Sequence, residues 1–298
     1  VADGHQGVYL IDASIYIFRA WHSVPDSLYN RDGMPINALH GFAGFLGSFH
    51  ERAEPGHVAV VFDESLTSSF RNRIYPGYKA SREEPPAELR QQFAWCRQLV
   101  GFLGLAQYAS NIYEADDLIG TLAARLRCPG GPIVILSADK DLAQLLQPGD
   151  LFWDFARNRR YACADVPAWL GVEAWQVADW LALTGDSVDN IPGIPGVGAK
   201  TAAALLAHFG SLTELHRRLD TVPELRLRGA ARIQRLLQEH RDTAMLARRL
   251  TGIAVDPEMA VSINDLGRRR VAAGDVGAAC EALGLGRTMQ ARLAGLAG

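Results

Sequence analysis

Three short stretches of unbroken apolar, largely β-branched residues punctuate the first half of the chain, and each ends in aspartate: VYLID at Asp12, VAVVFD at Asp63, and IVILSADKD at Asp139 and Asp141. Continuous rather than alternating apolar runs suit strands buried on both faces, as in a parallel sheet covered by helices. Between these runs the apolar spacing changes to the helical period, in ALHGFAGFLGSFHER (38–52), AELRQQFAWCRQLVGFLG (87–104) and DDLIGTLAARL (116–126). Strands alternating with helices predict an α/β fold whose central, mostly parallel sheet is flanked by helices. Past about residue 168 the strand pattern fades, so an α/β core over 1–167 is expected to be followed by a helical lobe over 168–256, and 257–298 carries no motif.

Within the helical half, TGDSVDNIPGIPGVGAKTA (184–202) concentrates turn residues beside negative charge. It is not a Walker A loop, because Ala199 follows Gly198 where lysine is required, and it is not a dinucleotide fingerprint, because Thr201 stands where the third glycine belongs. VEAWQVADWLALTGD (172–186) has helical spacing, Pro192 and Pro195 interrupt any helix, and KTAAALLAHF (200–209) resumes one. The pattern predicts a helix-hairpin-helix in which Gly196 and Gly198 let backbone approach a partner closely, while the amides ahead of Lys200 and Thr201 face an anion. A tight helical turn with structural glycines has the same pattern.

With 298 residues, 48% of them hydrophobic, the chain can bury a large core. No apolar run approaches the ~20 residues needed to span a bilayer. The start, VADGHQGVYLIDAS, lacks a basic segment leading into a long apolar one, so a cytoplasmic protein without membrane association is expected. Cys96, Cys128, Cys163 and Cys280 show no C-x-x-C spacing, which argues against a zinc site or a disulfide framework. The net charge of −3 taken alone argues against a nucleic-acid partner, but nine of the 33 acids fall in short motifs, leaving 24 against 30 Lys and Arg elsewhere. Residues 217–249 alone hold nine arginines against four acids, a balance that suits either a solvated helical face or a surface that continues the grip of the hairpin.

One aspartate at a strand end is ordinary and usually caps a helix. Three such strand ends, joined by Glu114, Asp116 and Asp117 in YEADDLIG and by Asp186 and Asp189 in the hairpin, make nine carboxylates: Asp12, Asp63, Glu114, Asp116, Asp117, Asp139, Asp141, Asp186 and Asp189. In open α/β sheets ligands collect beyond the carboxyl ends of the strands. If these acids converge, their mutual repulsion opposes folding unless cations neutralise them. An all-oxygen ligand set suits Mg²⁺ or Mn²⁺, and two such ions can clamp a phosphodiester. Between Asp63 and Glu114, Arg71, Arg73, Lys79 and Arg82 surround Tyr75 and Tyr78, with Pro76 and Gly77 between them. Stacking aromatics among cations describe a single-strand channel, and a mobile surface insertion has the same composition. Arg19, in the helix after Asp12, is a further candidate phosphate contact.

In order and spacing, LIDAS, VVFDES, FRNRIYPGYKASR, YEADDLIG, SADKDLAQLL and TGDSVDNIPGIPGVGAKTA resemble the 5′-nuclease superfamily, specifically the 5′ nuclease portion of bacterial DNA polymerase I and the stand-alone flap endonucleases. The resemblance covers about residues 7–260 and departs at Ala13, where the family often has glycine. It implies a PIN-like fold with a helical arch around 65–92 and a helix-three-turn-helix lobe holding duplex DNA. It also implies metal ligation by all nine carboxylates, an arch lysine at Lys79, a partner arginine at Arg82 and a phosphate-binding arginine at Arg19, while strand contacts at Tyr78, Arg71 and Arg73 are expected from the channel composition above. Relatives also bind K⁺ through backbone carbonyls of the hairpin. The expected activity is metal-dependent cleavage of 5′-flap, nicked or branched DNA, including RNA primer hybrids, by a monomer. A non-catalytic flap-binding module and an RNA-processing metal nuclease are the alternatives.

Overall fold

The computed structural model describes residues 7–64 and 69–296. Among these residues six strands form one sheet: β1 (Val8–Asp12), β2 (His57–Val61), β3 (Ala106–Tyr108), β4 (Ile133–Leu136), β5 (Leu151–Asp154) and β6 (Arg159–Ala162). Their order is β3-β2-β1-β4-β5-β6, with every neighbouring pair parallel except the antiparallel hairpin β5–β6. Among the described residues thirteen α-helices accompany them: α1 (Ala13–Ser23), α2 (Asn37–Ala53), α3 (Phe70–Ile74), α4 (Ala87–Phe102), α5 (Ala115–Gly130), α6 (Val166–Leu170), α7 (Val177–Thr184), α8 (Ala199–Phe209), α9 (Leu212–Arg217), α10 (Ala230–Glu239), α11 (Arg241–Thr251), α12 (Ala273–Ala282) and α13 (Arg287–Ala294).

The unbroken apolar runs are explained by cover on both faces. Val8, Leu10, Val61, Ile133 and Ile135 face one cluster, which includes Leu118, Ile119 and Leu122 of α5 and continues through Leu142 into Trp180, Leu205 and Leu237 of the helical half. Tyr9, Ile11, Val58, Val60 and Trp153 face the other, made with Ile17 of α1, Leu39 and Phe42 of α2, and Leu99 of α4. The first cluster passes from the sheet into the helices after residue 168 without a break, so the two expected regions share a core. Residues 273–294 also join the structure: Val276, Cys280, Met289 and Leu293 complete the second cluster, and Arg292 pairs with Glu51 of α2 at 2.6 Å.

Order 3-2-1-4 reverses the winding direction between β1 and β4, which opens a crevice at the carboxyl ends of those two strands. Residues 65–68, the beginning of the expected arch region, lie outside the described residues. In the remainder of that region α3 is short, a turn follows at Pro76–Gly77, and an extended stretch through Pro85 and Pro86 leads into α4. The two prolines have no backbone N–H and fixed φ, which keeps α3 and α4 from merging into one helix.

Leu293 is fully buried against α2. Leu293→Ala should therefore lower unfolding free energy by about 2–5 kcal/mol in urea titration. A change under about 0.5 kcal/mol, the range of ordinary surface substitutions, would mean that the C-terminal segment is not part of the core.

Candidate active site

Each acid is placed by a local device. Asp12 ends β1 and caps α1, accepting from the Ile15 amide at 3.5 Å, while Ser137 Oγ donates to its second oxygen at 2.8 Å. Asp63 follows β2 and accepts from the Ala115 amide at 2.9 Å, which brings the start of α5 to the end of β2. Asp139 follows β4 and accepts from the Asp141 amide at 2.9 Å. Asp186 and Ile191 bond to each other through both backbone groups, which closes the loop that presents Asp189.

These devices bring Asp12, Asp63, Glu114, Asp116, Asp139 and Asp189 onto one cavity of about 530 Å³, with Lys79 and Arg82 on its wall. Burial, followed by repulsion from Asp63 and Asp139, pushes the Asp12 carboxyl up to about 7. Asp141 is pushed up to about 8 by burial and then by Asp139 and Asp186. Asp116 and Asp139 are raised as well, chiefly by burial. Glu114 behaves differently: burial raises it, but Lys79 and Arg71 together hold its carboxyl below the ordinary value.

Lys79 sits in the left-handed region at φ 55° and buries its ammonium against Glu114 Oε1 at 2.6 Å, with Asp189 at 3.9 Å. Arg82 pairs with the other oxygen of Asp189. Gly77 and Lys79 also clasp the 186–190 loop through the backbone: the Lys79 amide donates to the Asp189 carbonyl at 3.0 Å, and Asn190 Nδ2 donates to the Gly77 carbonyl at 2.6 Å. Lys79 and Arg82 thus reach the cavity as partners of its acids.

Three expectations need correction. Arg71 is not a strand contact: only 3% exposed, it donates to both oxygens of Asp117 at 2.6 and 2.8 Å and to the carbonyls of Leu250 and Gly252. Asp117 is therefore not a free ligand, since its oxygens serve Arg71 and the amides of Glu114 and Ala254, and it does not line the cavity. Tyr78 cannot stack on a base, because it is 3% exposed and its hydroxyl donates toward Glu114 at 2.8 Å and Asp189 at 3.2 Å. In each case the low-dielectric setting of the acids draws in a donor that the sequence offers as a surface group. Arg19 and Arg73 are exposed and stand off the cavity wall. Conversely, Arg90, Phe93 and Arg97 of α4 line it, and Arg97 pairs with Glu64 at 2.6 Å. Their i, i+3, i+7 spacing on one helix face was a readable signal, hidden in a helix whose other side is core.

The hairpin forms as spaced. Gly185 and Gly193 pack back to back, where a β-carbon on Gly193 would lie 2.3 Å from the Thr184 carbonyl. Gly196 needs its freedom at φ 81°. At Gly198, which precedes the first turn of α8, an added β-carbon would meet nothing within 4 Å. Gly196, Gly198 and Lys200 are exposed, and Thr201 is half-buried.

The acids suit hard divalent cations. Asp141 Oδ1 is buried without a partner, and the Asp12, Asp116, Asp139 and Asp141 carboxyls are all held above their ordinary range, chiefly by burial. Among the described residues no three His, Cys, Asp or Glu side chains close into a ready metal cage.

Residues 7–168 match the 5′-3′ exonuclease N-terminal resolvase-like domain family, and residues 172–273 match the 5′-3′ exonuclease C-terminal SAM fold. The DNA polymerase I of Pseudomonas aeruginosa is 39% identical over 258 residues, 86% of this chain and 28% of that protein. The DNA polymerase I of Rhizobium leguminosarum is 36% identical over 266 residues, 87% of this chain and 26% of that protein. The chain thus spans little more than a quarter of the length of these relatives. Among solved structures, the bacteriophage T5 flap endonuclease in a pseudo-enzyme-product complex with DNA and metal ions superposes with TM-score 0.63 over 97% of this chain and 96% of that one, at 18% identity, a likeness of fold.

An acid whose folded pKa is raised contributes stability that is present below its unfolded value, near 3.9, and lost as pH rises through its folded value. In EDTA the contributions of Asp12 and Asp141 should therefore disappear as pH passes about 7 and about 8. Mg²⁺ should restore the loss. A thermal-melt series with equal Mg²⁺ shifts at pH 5 and pH 9 would contradict this.

Proposed function

Because the chain belongs to the 5′-3′ exonuclease family, we propose that it is a metal-dependent, structure-specific 5′ nuclease, hydrolysing DNA at single-strand to duplex junctions to leave 5′-phosphate and 3′-hydroxyl ends. The observation that carries this reading is the convergence of eight carboxylates, six of them from the sequence motifs, on one cavity at the β1/β4 switch point, next to a buried carboxylate oxygen with no partner. Asp12, Asp63, Glu114, Asp116 and Asp139 would hold one Mg²⁺ or Mn²⁺, and Asp139, Asp141, Asp186 and Asp189 a second, partly through water. When bound, such ions supply activated water and neutralise charge on the scissile phosphate.

The protein's own groups do the rest. Lys79 and Arg82, already held at the cavity by Glu114 and Asp189, are positioned to exchange those partners for phosphate oxygens. Arg90 and Arg97 add positive charge on the α4 wall, where the single strand would run. Arg19 and Arg73, exposed outside the cavity, are assigned to phosphates further along the strand. The helical half grips the duplex: the free amides at the start of α8, with Lys200 and Thr201, receive a backbone phosphate, and the hairpin carbonyls suit K⁺. Substrates include flaps, nicked duplex and RNA primer hybrids, and the protein acts as a cytoplasmic monomer. No helix among the described residues is long and apolar enough to cross a membrane.

Asp139→Asn combined with Asp141→Asn should lower single-turnover cleavage of a 5′-labelled flap in Mg²⁺ at least about a hundredfold, with DNA affinity retained or increased. Wild-type-like turnover of the variant would overturn the metal assignment. A wild type that binds the flap without cutting it would favour a binding module, and preference for single-stranded RNA would favour an RNA-processing nuclease.

Since nothing in the fold resists a side chain at Gly198, Gly198→Ala should leave thermal stability unchanged. It should weaken binding to substrates with a long duplex arm about tenfold, the loss of one charge-assisted hydrogen bond, and leave short single strands unaffected. Equal losses on both ligands, or no loss on either, would reduce the glycine to a turn residue.

A further inference from the structure

The carboxylate cavity does not end at Asp139. A second cavity of about 430 Å³ adjoins it, with Ile15 and Asp139 as shared wall. Its chemistry is different. Tyr161 of β6 and Trp169 of α6, both half-buried, form an aromatic platform stacked with ring centres 4.1 Å apart and planes 6° apart, and the buried Phe152 of β5 supports it from the core, 5.2 Å from Trp169. Lys140, Arg157 and Arg159 complete the lining, all three exposed. Asp154 holds Arg157 at 3.0 Å, whereas Lys140 and Arg159 have no carboxylate at ion-pair distance among the described residues.

Tyr161 and Trp169 rest on the core yet keep part of their surface at the opening, and surface cations need no aromatic floor. Here both face one opening of the size that takes a small ligand, beside the place where a phosphodiester would be cut. Aromatic faces that accept any base, flanked by cations that meet the backbone, are the recognition chemistry of a nucleic-acid strand. The geometry points to a subsite in which the platform and Arg159 hold a nucleotide of the DNA strand next to the phosphate cleaved at the carboxylates, fixing the register of the cut. This assignment rests on the nuclease reading above.

The test is single-turnover cleavage of a flap substrate in Mg²⁺, with one neutral methylphosphonate or one abasic site walked through successive positions on both sides of the junction. For wild type, one position of each kind should cost about tenfold, in line with the loss of one stacked base or one phosphate contact. Arg159→Ala should lower the rate on unmodified DNA by a similar factor and erase the further cost of the methylphosphonate at that one position. Trp169→Ala should do the same for the abasic site. Because Trp169→Ala can loosen the β5–β6 hairpin, Arg159→Ala, on an exposed side chain, is the deciding variant. Penalties that simply multiply at every position would overturn the subsite while leaving the nuclease reading intact. Absence of cleavage by wild type on unmodified DNA would instead strike the nuclease reading, and the same walk read by equilibrium binding would then decide the pocket: coupling at one position supports it, uniform additivity overturns it.

Discussion

Eight carboxylates on one cavity are an arrangement that folding opposes unless cations offset it, and two buried cations, Arg71 and Lys79, pair with its acids. Arg71 is spent on Asp117 and Glu114, and its remaining donors satisfy the carbonyls of Leu250 and Gly252 at the end of α11. That one buried guanidinium therefore joins the segment after β2, the start of α5 and the far end of the helical half. Lys79 does the same on the open side, facing Glu114 and Asp189. A buried ion pair is weak evidence for stability in itself, but removing one partner leaves an uncompensated charge, which typically costs about 3–5 kcal/mol. The role of Arg71 is thus architectural: it fixes where Glu114 can point, and so where the cavity lies.

The sheet decides the rest of the geometry. Parallel strands put all their carboxyl ends on one edge, so Asp12, Asp63 and Asp139 arrive there without long loops. The reversal between β1 and β4 then leaves that edge uncovered by crossover helices. Helix α5 begins at this edge, and the positive end of its dipole faces Asp63, Asp116 and Glu114. Backbone charge is thus part of what lets the acids gather, alongside Lys79.

The strand-end aspartates were legible because an apolar run that ends in a carboxylate states both its burial and its exit point. The hairpin was legible because Gly185, Gly193 and Gly196 sit where close packing or positive φ requires glycine. What stayed hidden has a common cause. Arg71, Tyr78 and Asp117 are polar residues in polar company, and composition cannot tell a solvated cluster from one buried by long-range partners such as Leu250 and Ala254. Likewise β5 and β6 follow no unbroken apolar run, since β6 is an edge strand with two exposed arginines. Residues 273–294 looked featureless because small residues such as Ala279 and Cys280 pack closely without a marked periodic stripe.

The hairpin has a further consequence, because it serves both ends of the proposed substrate. Asp189 at its start lines the carboxylate cavity, Asp186 acts on the neighbouring Asp141, and Gly198 at its end caps α8, the helix proposed to face the duplex. Between them the chain has almost no freedom: the paired bonds of Asp186 and Ile191 close the first loop, the contact of Gly185 with Gly193 locks it against α7, and Ile194 donates to the Leu183 carbonyl at 2.9 Å. Trp180 of α7 donates to the Ala199 carbonyl at 3.2 Å, which fastens the start of α8 to the same helix. The spacing between metal-side acids and duplex-side amides is therefore set by one short rigid element rather than by the meeting of two bodies. On the proposed function, a nuclease built this way would measure its cut from the duplex, and the clasp of Gly77 and Lys79 on the 186–190 loop would extend the same rigid reference to the cation proposed to meet the scissile phosphate.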